Sequence, residues 1–404
     1  MSFSLFLIWL FVVIGRPQDI FGFLDPARLA LVLGVLTLIM TVLENRGLPL
    51  KTFLGPKENR RYLLFYLFMM LSIPLSRYRH ASFDYTFLVY PSNLLLFYML
   101  QSHACSVKRL EGILYTACVA AFFYVVCSLL KGTYISGRLD FGGMYDPNDL
   151  AFFLVSTFPI GLYFVRKAGI SQRALALGLI VLSIAAIVMT GSRGGLLGLA
   201  VFSLFTFKRA SRISFPVKVM VLLLLVALYA GYANRTNRAR YDTLMNIGSD
   251  YNITSQFGRI AIWKLGGRLI LSNPVTGVGV GCFEEGVGDL RAEMGKIPRW
   301  QAPHNSFLQV AAETGLIGFA FFISIIIACF RTFFAISAAG RGENTGNENK
   351  NPELADIASV LLIGFACLLV TAFFLTQAYS PLFVLYFALS PVVRDLADGA
   401  DRAG

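Results

Sequence analysis

The sequence predicts an all-α integral membrane protein, built as a bundle of about twelve transmembrane helices. Composition is the first reason: 56% of the residues are hydrophobic and only 14% are charged, whereas soluble domains carry roughly 25% charged residues. The second reason is that uncharged segments long enough to span a bilayer recur along the chain, for example Gly112 to Leu130 and Ala174 to Ser192. These observations exclude an ordinary soluble domain.

The apolar segments fall into two groups on either side of one long polar segment. Residues 1–231 are predicted to hold an N-terminal bundle of about nine spans, and residues 304–404 to hold about three more. The predicted span centres lie near residues 8, 35, 68, 94, 120, 158, 182, 201, 224, 320, 366 and 386. Short turns join most spans, which favours one compact bundle with residues 232–303 as its large external loop.

Orientation follows from the distribution of Lys and Arg, because positively charged loops stay in the cytoplasm. With the N-terminus inside, 19 of the 35 basic residues fall in inward segments and 7 in short outward segments, while the long loop, which is exempt from the rule, holds the other 9. Both termini are therefore predicted to be cytoplasmic, and residues 232–303 to be periplasmic. This topology accounts for most of the net charge of +12.

The large loop carries a secondary-structure signal of its own. Apolar residues recur at spacings of three or four from Ile260 to Ile270, which predicts an amphipathic helix that Asn273-Pro274 ends. The glycines that follow, Gly277, Gly279 and Gly281, are interpreted as a flexible bend. A loop of this length is usually functional or disordered, and its apolar pattern favours a function.

Arginines in the predicted outward segments are the candidate ligand-binding groups, because a guanidinium donates two hydrogen bonds at once and so suits a phosphate or diphosphate. The candidates are Arg138, Arg193, Arg235, Arg238, Arg240, Arg259 and Arg268. Arg193 is favoured because it lies in a minimal glycine-rich turn between two apolar spans, where a charge is costly. Arg259 is favoured because it begins the predicted helix, whose first amides also attract anions.

His304 is the candidate general base, because it lies where the long polar segment gives way to another apolar span. The alternative is an ordinary histidine at a helix N-terminus. Asn305 and Ser306 are expected to cap this helix. Glu313 lies about 180° around the helix from His304, so some other group must orient the imidazole.

Aromatic residues in outward segments are candidates for stacking on a sugar ring, namely Tyr145, Trp263 and Trp300. The six cysteines form neither a disulfide framework nor a metal-ligand pattern, and only Cys282 is expected on the oxidising side. No cofactor is expected. The topological origin of the basic charge leaves no need for a nucleic acid partner.

Taken in order, these motifs resemble the bacterial O-antigen ligase and O-antigen polymerase family of polytopic glycosyltransferases. The matching positions are Arg138 with Asp146-Pro147-Asn148, Ser192-Arg193-Gly194-Gly195, Gly258-Arg259 with Trp263, Asn273-Pro274 with Gly277 and Gly279, and His304-Asn305 with Glu313-Thr314-Gly315. Each motif is short, but the ordered set surrounds one external loop and covers residues 138 to 315. The start Gly15-Arg16-Pro17-Gln18-Asp19 also resembles exopolysaccharide members.

The resemblance implies a GT-C-like bundle in the bacterial inner membrane with its active site facing the periplasm. The implied reaction is a metal-independent, inverting transfer of a glycan from undecaprenyl diphosphate to a glycan or lipid-linked acceptor. By this analogy Arg193 and Arg259 neutralise the donor diphosphate and His304 is the catalytic base. The expected substrate-binding residues are Arg138, Asn148, Asn305, Trp263 and Glu313. Membrane lipids surround the chain, and a chain-length regulator or another polysaccharide assembly protein is a candidate partner.

Several functions remain open from the sequence. A polymerase adds lipid-linked repeats to a growing chain, whereas a ligase moves a finished glycan to the lipid A core, and the motifs fit both. The Arg16-Pro17-Gln18 start favours polymerisation slightly. A lipid-linked sugar transporter or flippase would also line its path with arginines, but it would usually show internal repeats, which the sequence lacks. A purely structural subunit would leave Arg193, Arg259 and His304 unexplained.

Overall fold

The computed structural model describes residues 1–135, 137–141, 146–209, 255, 257–340 and 351–399, and these are helical almost throughout. The N-terminal helices are α1 (Ser2–Gly15), α2 (Pro17–Ile20), α3 (Leu29–Leu43), α4 (Leu50–Leu54), α5 (Lys57–Ser72), α6 (Arg79–Asp84), α7 (Pro91–His103) and α8 (Val107–Lys131). A hairpin of β1 (Thr133–Ile135) and β2 (Arg138–Asp140) follows, with Thr133 paired to Asp140. The later helices are α9 (Pro147–Thr157), α10 (Gly161–Lys167), α11 (Ile170–Met189), α12 (Arg193–Arg209), α13 (Arg259–Ser272), α14 (Phe283–Glu293), α15 (Ser306–Ala339), α16 (Pro352–Ala372) and α17 (Pro381–Ala397). Short 3-10 turns lie at Gly22–Ala27, Ile73–Leu75 and Phe158–Ile160, and a π turn lies at Tyr85–Val89.

Each predicted span centre within the described residues falls in a helical segment, and the centre near residue 224 lies outside them. Five described segments are long and apolar enough to cross a membrane, namely Val107–Lys131, Pro147–Lys167, Ile170–Met189, Ser306–Ala339 and Pro352–Ala372. The apolar helices α1, α3 and α12 are shorter, and a helix needs about 20 residues to span the hydrocarbon core. The chain is therefore an all-α membrane protein as predicted. Within the described residues, five helices meet the length and apolarity needed to span a membrane, and the predicted number of about twelve remains a prediction.

The core that positions the site lies where α16 packs against α9, α12, α15 and α17. Gly364 of α16 allows this close approach, because a Cβ there would lie 2.1 Å from the hydroxyl oxygen of Tyr386. The Tyr386 hydroxyl donates a 2.5 Å hydrogen bond to the carbonyl of Ser156 and so ties α17 to α9. Toward the C-terminal end of α17, Arg394 donates to both carboxylate oxygens of Glu58, at 2.7 and 2.6 Å, which ties α17 to α5.

The described part of the large loop is folded onto α15. The helix α13 begins at Arg259 and ends before Asn273-Pro274, as predicted. Its apolar side is buried against α14 and α15 in a second hydrophobic cluster made of Ile262, Leu265, Leu269, Val278, Cys282, Phe283, Val287 and Ala312. The preceding residues 210–254, which include Arg235, Arg238 and Arg240, lie outside the described residues.

The segment from Gly277 to Gly281 is a fixed crossing over α15, so the prediction of a flexible bend was wrong. The helix α15 breaks at Gly315, which has φ 65° and ψ −173°, and two carbonyls before the break accept hydrogen bonds from the crossing chain. Val278 N–H donates to the Ala312 carbonyl at 2.9 Å and Gly279 N–H to the Glu313 carbonyl at 3.1 Å. Gly277 has φ 70°, and a Cβ there would lie 2.3 Å from the backbone carbon of Glu313. Glycine is needed here for close approach and not for mobility.

Candidate active site

A small cleft of about 60 Å³ brings together four separate parts of the chain. Its lining residues come from the start of α9, the turn into α12, the start of α13 and the connection after α16, and they are Asn148, Ser192, Arg193, Gly194, Arg259, Phe374 and Leu375. The cleft therefore unites Arg193, Arg259 and Asn148, which the sequence predicted from three separate motifs.

Arg193 is held at the first position of α12 by a tight turn. Gly191 has φ 60° in this turn, and the Ser192 hydroxyl accepts a hydrogen bond from the N–H of Gly195 at 3.2 Å. A Cβ at Gly195 would lie 2.7 Å from the Cβ of Ala151, so the start of α12 packs directly on α9. Arg193 consequently lies at a helix N-terminus, where the helix dipole adds to the positive charge of its side chain.

Arg259 is the first residue of α13 and lines the same cleft. The N-cap residue of this helix is Gly258, so no side-chain oxygen caps its first turn. Two guanidinium groups and two helix N-termini thus concentrate positive charge in one small space. This arrangement favours a ligand with two or more negative charges.

Arg138 supports the wall of the cleft. Its Nε donates to the carbonyl of Thr190 at 2.7 Å and its Nη2 donates to Oδ1 of Asn148 at 2.7 Å. Asp146 caps α9, and its Oδ1 accepts from the backbone N–H of Asn148 at 2.6 Å. Arg138 therefore connects the turn before Arg193 to the start of α9. Because it does not line the cleft, its contacts in the described part of the chain are those of a positioning residue.

His304 lies beside the cleft in a strained backbone conformation, with φ 46°. Its backbone N–H donates to the hydroxyl of Thr376 at 3.0 Å. The residue before it is also held, because the indole N–H of Trp263 donates to the carbonyl of Pro303 at 2.9 Å. Asn305 then caps α15, and its Oδ1 accepts from the N–H groups of Phe307 and Leu308 at 3.0 Å. The backbone is thus held on both sides of His304, which fixes the position from which its side chain extends.

The surroundings of His304 favour its neutral form. Burial lowers the pKa of His304, the positive charge of Arg259 lowers it further, and the negative charge of Asp146 opposes them. A histidine whose pKa is below its ordinary value is uncharged at neutral pH, and an uncharged imidazole can accept a proton. The charge of Arg259 reaches the imidazole, which links His304 to the cleft that Arg259 lines.

Three predicted substrate-binding residues have structural partners in the described chain. Asn305 is 6% exposed and caps α15, and Trp263 holds Pro303 while its ring packs edge-on against Phe373. Glu313 is 2% exposed, and its carboxylate accepts from the N–H groups of Gly281 and Phe283 and from the hydroxyl of Tyr379. A substrate contact needs an accessible side chain, so these contacts suit positioning roles for Asn305 and Glu313.

The connection between α16 and α17, residues 373–380, was missed as part of the site. Leu375 lines the cleft, and its carbonyl accepts from the Ser306 hydroxyl at 2.7 Å. Gln377 Nε2 donates to the carboxylate of Asp149 at 3.0 Å. This connection therefore joins the start of α9 to the start of α15. Its sequence signal is the run of polar side chains Thr376, Gln377, Tyr379 and Ser380 between two apolar spans.

Two other candidates lie elsewhere. Arg268 is exposed on α13, with its Nη1 3.1 Å from the sulfur of Met294, and it is not among the cleft-lining residues. Tyr145 lies outside the described residues. The six cysteines are all free thiols.

Residues 178–323 match the family model described as O-antigen ligase. The matched region contains Arg193, Arg259 and His304, and it ends after the break in α15. The comparison with curated proteins gave no match. The family match confirms the resemblance to the O-antigen ligase and polymerase family that the ordered motifs predicted.

Proposed function

We propose that this membrane protein of the O-antigen ligase type transfers a glycan from undecaprenyl diphosphate to an acceptor sugar at the periplasmic face of the bacterial inner membrane. In a polymerase the acceptor is the next lipid-linked repeat of O-antigen or exopolysaccharide, and in a ligase it is the lipid A core. One observation carries the proposal: Arg193 and Arg259 share one small cleft.

The donor chemistry fits this concentration of positive charge. When a sugar leaves its diphosphate, negative charge builds on the departing oxygens, and catalysis requires positive groups already aimed at that position. Two guanidinium side chains can each donate two hydrogen bonds to such oxygens. Ser192 and Asn148 line the same cleft and add neutral hydrogen-bonding groups.

In the proposed step, an acceptor hydroxyl attacks the anomeric carbon of the donor sugar. A bond forms between the acceptor oxygen and this carbon while the bond from the carbon to the diphosphate oxygen breaks. The electron pair leaves with undecaprenyl diphosphate, and the hydroxyl proton passes to the imidazole of His304. This single displacement inverts the anomeric configuration and needs no metal. The neutral state of His304, favoured by burial and by Arg259, is the state that accepts the proton.

The motif that favoured polymerisation has a local structural role. Arg16 adopts φ 44° between α1 and α2, and its Nε lies 2.5 Å from a carboxylate oxygen of Asp19. The polymerase form of the proposal therefore relies on the resemblance of this segment to exopolysaccharide members, since the described residues that line the cleft come from other parts of the chain.

Reconstitution with a defined undecaprenyl-diphosphate-linked repeat tests the proposal. The variant His304→Ala should lose transfer by about 10²- to 10⁴-fold while still binding the donor. Arg193→Lys and Arg259→Lys should each lower kcat/KM by about 10- to 100-fold, because one ammonium cannot replace a bidentate guanidinium. Arg268→Lys is the matched control, since Arg268 lies on α13 away from the cleft, and it should transfer normally.

The products distinguish the functions. Long chains would identify a polymerase, whereas a single capped lipid A core would identify a ligase. Full transfer by His304→Ala with pure donor would remove the histidine from the mechanism. Movement of labelled donor across the bilayer without a new glycosidic bond would identify the transporter or flippase instead.

A further inference from the structure

A small surface close along the chain to Arg259 and His304, here called the outer shelf, consists of Phe257, Arg299 and Trp300. The guanidinium carbon of Arg299 lies 4.3 Å from the centroid of the Phe257 ring. Trp300 is 61% exposed although it is one of the largest apolar side chains. Neither Arg299 nor Trp300 lines the cleft or contacts His304 among the described residues, so the proposed chemistry leaves them unexplained.

The residues of the outer shelf are held in place by neighbouring side chains and by α14. Arg291 is 4% exposed, its guanidinium carbon lies 4.8 Å from the centroid of the Phe257 ring, and its Nε donates to the carbonyl of Ile297 at 3.1 Å. Trp300 packs on Gly288 of α14, where a Cβ would lie 2.9 Å from the indole nitrogen. The indole ring of Trp300 therefore packs into space that is open only because residue 288 is a glycine.

The outer shelf is adjacent to the candidate catalytic groups. Trp300 precedes His304 by four residues, so their Cα atoms are at most about 14 Å apart, and Phe257 precedes Arg259 by two residues, at most about 7 Å. The two chain segments are also joined directly, because Gln301 Nε2 donates to the carbonyl of Phe257 at 3.4 Å. A molecule with its reactive group at His304 could therefore reach the outer shelf with its next one or two units.

We propose that the outer shelf binds the acceptor glycan, with a sugar ring on the indole of Trp300 and an anionic substituent, a phosphate or a carboxylate, on Arg299. An indole offers a flat apolar face with a polar edge, which matches the face of a pyranose ring. The guanidinium of Arg299 lies over the Phe257 ring, and its N–H groups can donate to an anion. This inference rests on the proposed transferase function and assigns it an acceptor subsite.

The outer leaflet of the membrane is the competing occupant, because Ile297 is 80% exposed beside Lys296, and interfacial anchors combine apolar and basic residues. The contacts favour the glycan. A membrane anchor projects its side chains into the lipid. In contrast, Arg299 packs on Phe257 and Trp300 packs on Gly288.

Kinetics provide the first test, with the full chain in lipid nanodiscs. Trp300→Ala and Arg299→Ala should each raise the KM for the acceptor by about tenfold and leave kcat and the KM for the donor unchanged. Lys296→Ala is the matched control, because it removes a charge from the same exposed segment without touching the outer shelf, and its acceptor KM should not change. An unchanged acceptor KM in both test variants would overturn the inference.

Direct binding provides a second test that does not depend on transfer. Water-soluble oligosaccharide released from the bacterium's own surface polysaccharide should quench tryptophan fluorescence of His304→Ala, and the additional change Trp300→Ala should abolish the quenching. Quenching in a wild-type protein that shows no transfer would overturn the transferase function while supporting the outer shelf as a glycan site. Normal transfer with no Trp300-dependent quenching would overturn the outer shelf alone. A Trp300 response to anionic lipid, but not to oligosaccharide, would identify a membrane anchor and would also overturn it.

Discussion

At the scale of single residues, the backbone of His304 is the most informative feature of the site. A residue with a Cβ at φ 46° is strained by about 1–2 kcal/mol. Two hydrogen bonds hold the peptide group that precedes this residue, one from His304 N–H to Thr376 and one from Trp263 to the Pro303 carbonyl. Strain of this kind persists only where the surroundings fix it, which supports a role for His304 that needs exact placement of the imidazole.

Thr376 should therefore act on catalysis through the placement of His304. Thr376→Val keeps the shape of the side chain but removes the oxygen that accepts from His304 N–H, so kcat should fall by about tenfold with little change in the KM for the donor. Thr376→Ser keeps the oxygen and should restore most of kcat. Steady-state kinetics of the three proteins check this, and equal activity of the valine and serine variants would contradict it.

Asp146 should influence the pH below which kcat/KM falls. Its negative charge raises the pKa of His304, so its removal lowers that pKa, and the acidic limb of the kcat/KM profile should move to lower pH. Asp146→Asn is a suitable change because asparagine caps a helix as well as aspartate does. Arg259→Gln removes a positive charge that lowers the same pKa, so its acidic limb should move to higher pH, whatever its absolute rate. Shifts of both variants in one direction would exclude His304 as the titrating base.

Some residues of the candidate site could be predicted from the sequence alone, and others could not. Arg193 was predictable because a charge in a minimal turn between two apolar spans is costly. Arg259 was predictable as the start of the loop helix, and Asn148 from the resemblance of its Asp146-Pro147-Asn148 motif. The structure unites the three residues in one cleft. Thr376 was not predictable, since its partner lies 72 residues away along the chain. Glu313 was recognised as a motif residue, but no local pattern indicates that its carboxylate accepts hydrogen bonds from Gly281, Phe283 and Tyr379.

At the scale of elements, local signals located helices but not their mutual contacts. The limits of α13 follow from apolar periodicity and from Asn273-Pro274, and the start of α9 follows from the Asp146 cap before Pro147. The break in α15 could not be predicted in this way, because a single glycine within a helical pattern is usually tolerated without a break. The cause of the break is a tertiary contact. The backbone of residues 274–279 crosses α15 at this point and forms hydrogen bonds with helix backbone groups that would otherwise pair within the helix.

Gly315→Ala should consequently destabilise the junction between the loop and the bundle. The residue has φ 65°, and a Cβ would lie 2.5 Å from the backbone carbon of Val275, so the combined strain and overlap should cost about 2 kcal/mol or more. Gly267→Ala in α13 is the control, because nothing lies within 4 Å of its Cβ position and alanine favours a helix over glycine by up to about 1 kcal/mol. Thermal unfolding in detergent should show a lower midpoint for the first variant and an equal or higher one for the second. A midpoint for Gly315→Ala at or above that of wild type would contradict the close approach.

At the scale of the whole molecule, the cleft is an assembly of distant segments. Its walls come from the starts of α9, α12 and α13 and from the connection after α16, and the packing of α16 against α9 and α12 brings them together. The sequence predicted the order of these segments, but not that three helix starts and one connection share an end of the bundle. That arrangement results from packing, which hydropathy alone does not specify.

The direction in which this end of the bundle faces is a prediction from the Lys and Arg count, and thiol labelling tests it. Lys296 and Lys108 are both exposed, and the predicted topology places Lys296 outside and Lys108 inside. In intact spheroplasts, a membrane-impermeant maleimide should label Lys296→Cys and should label Lys108→Cys only after the cells are opened. Background from Cys282, the native thiol that is predicted to face outward, should be low, because its side chain is 0% exposed. Burial also raises the pKa of this thiol to about 12, so little reactive thiolate forms. Labelling of Lys108→Cys but not Lys296→Cys in intact cells would place the cleft on the cytoplasmic side and would exclude a periplasmic transferase.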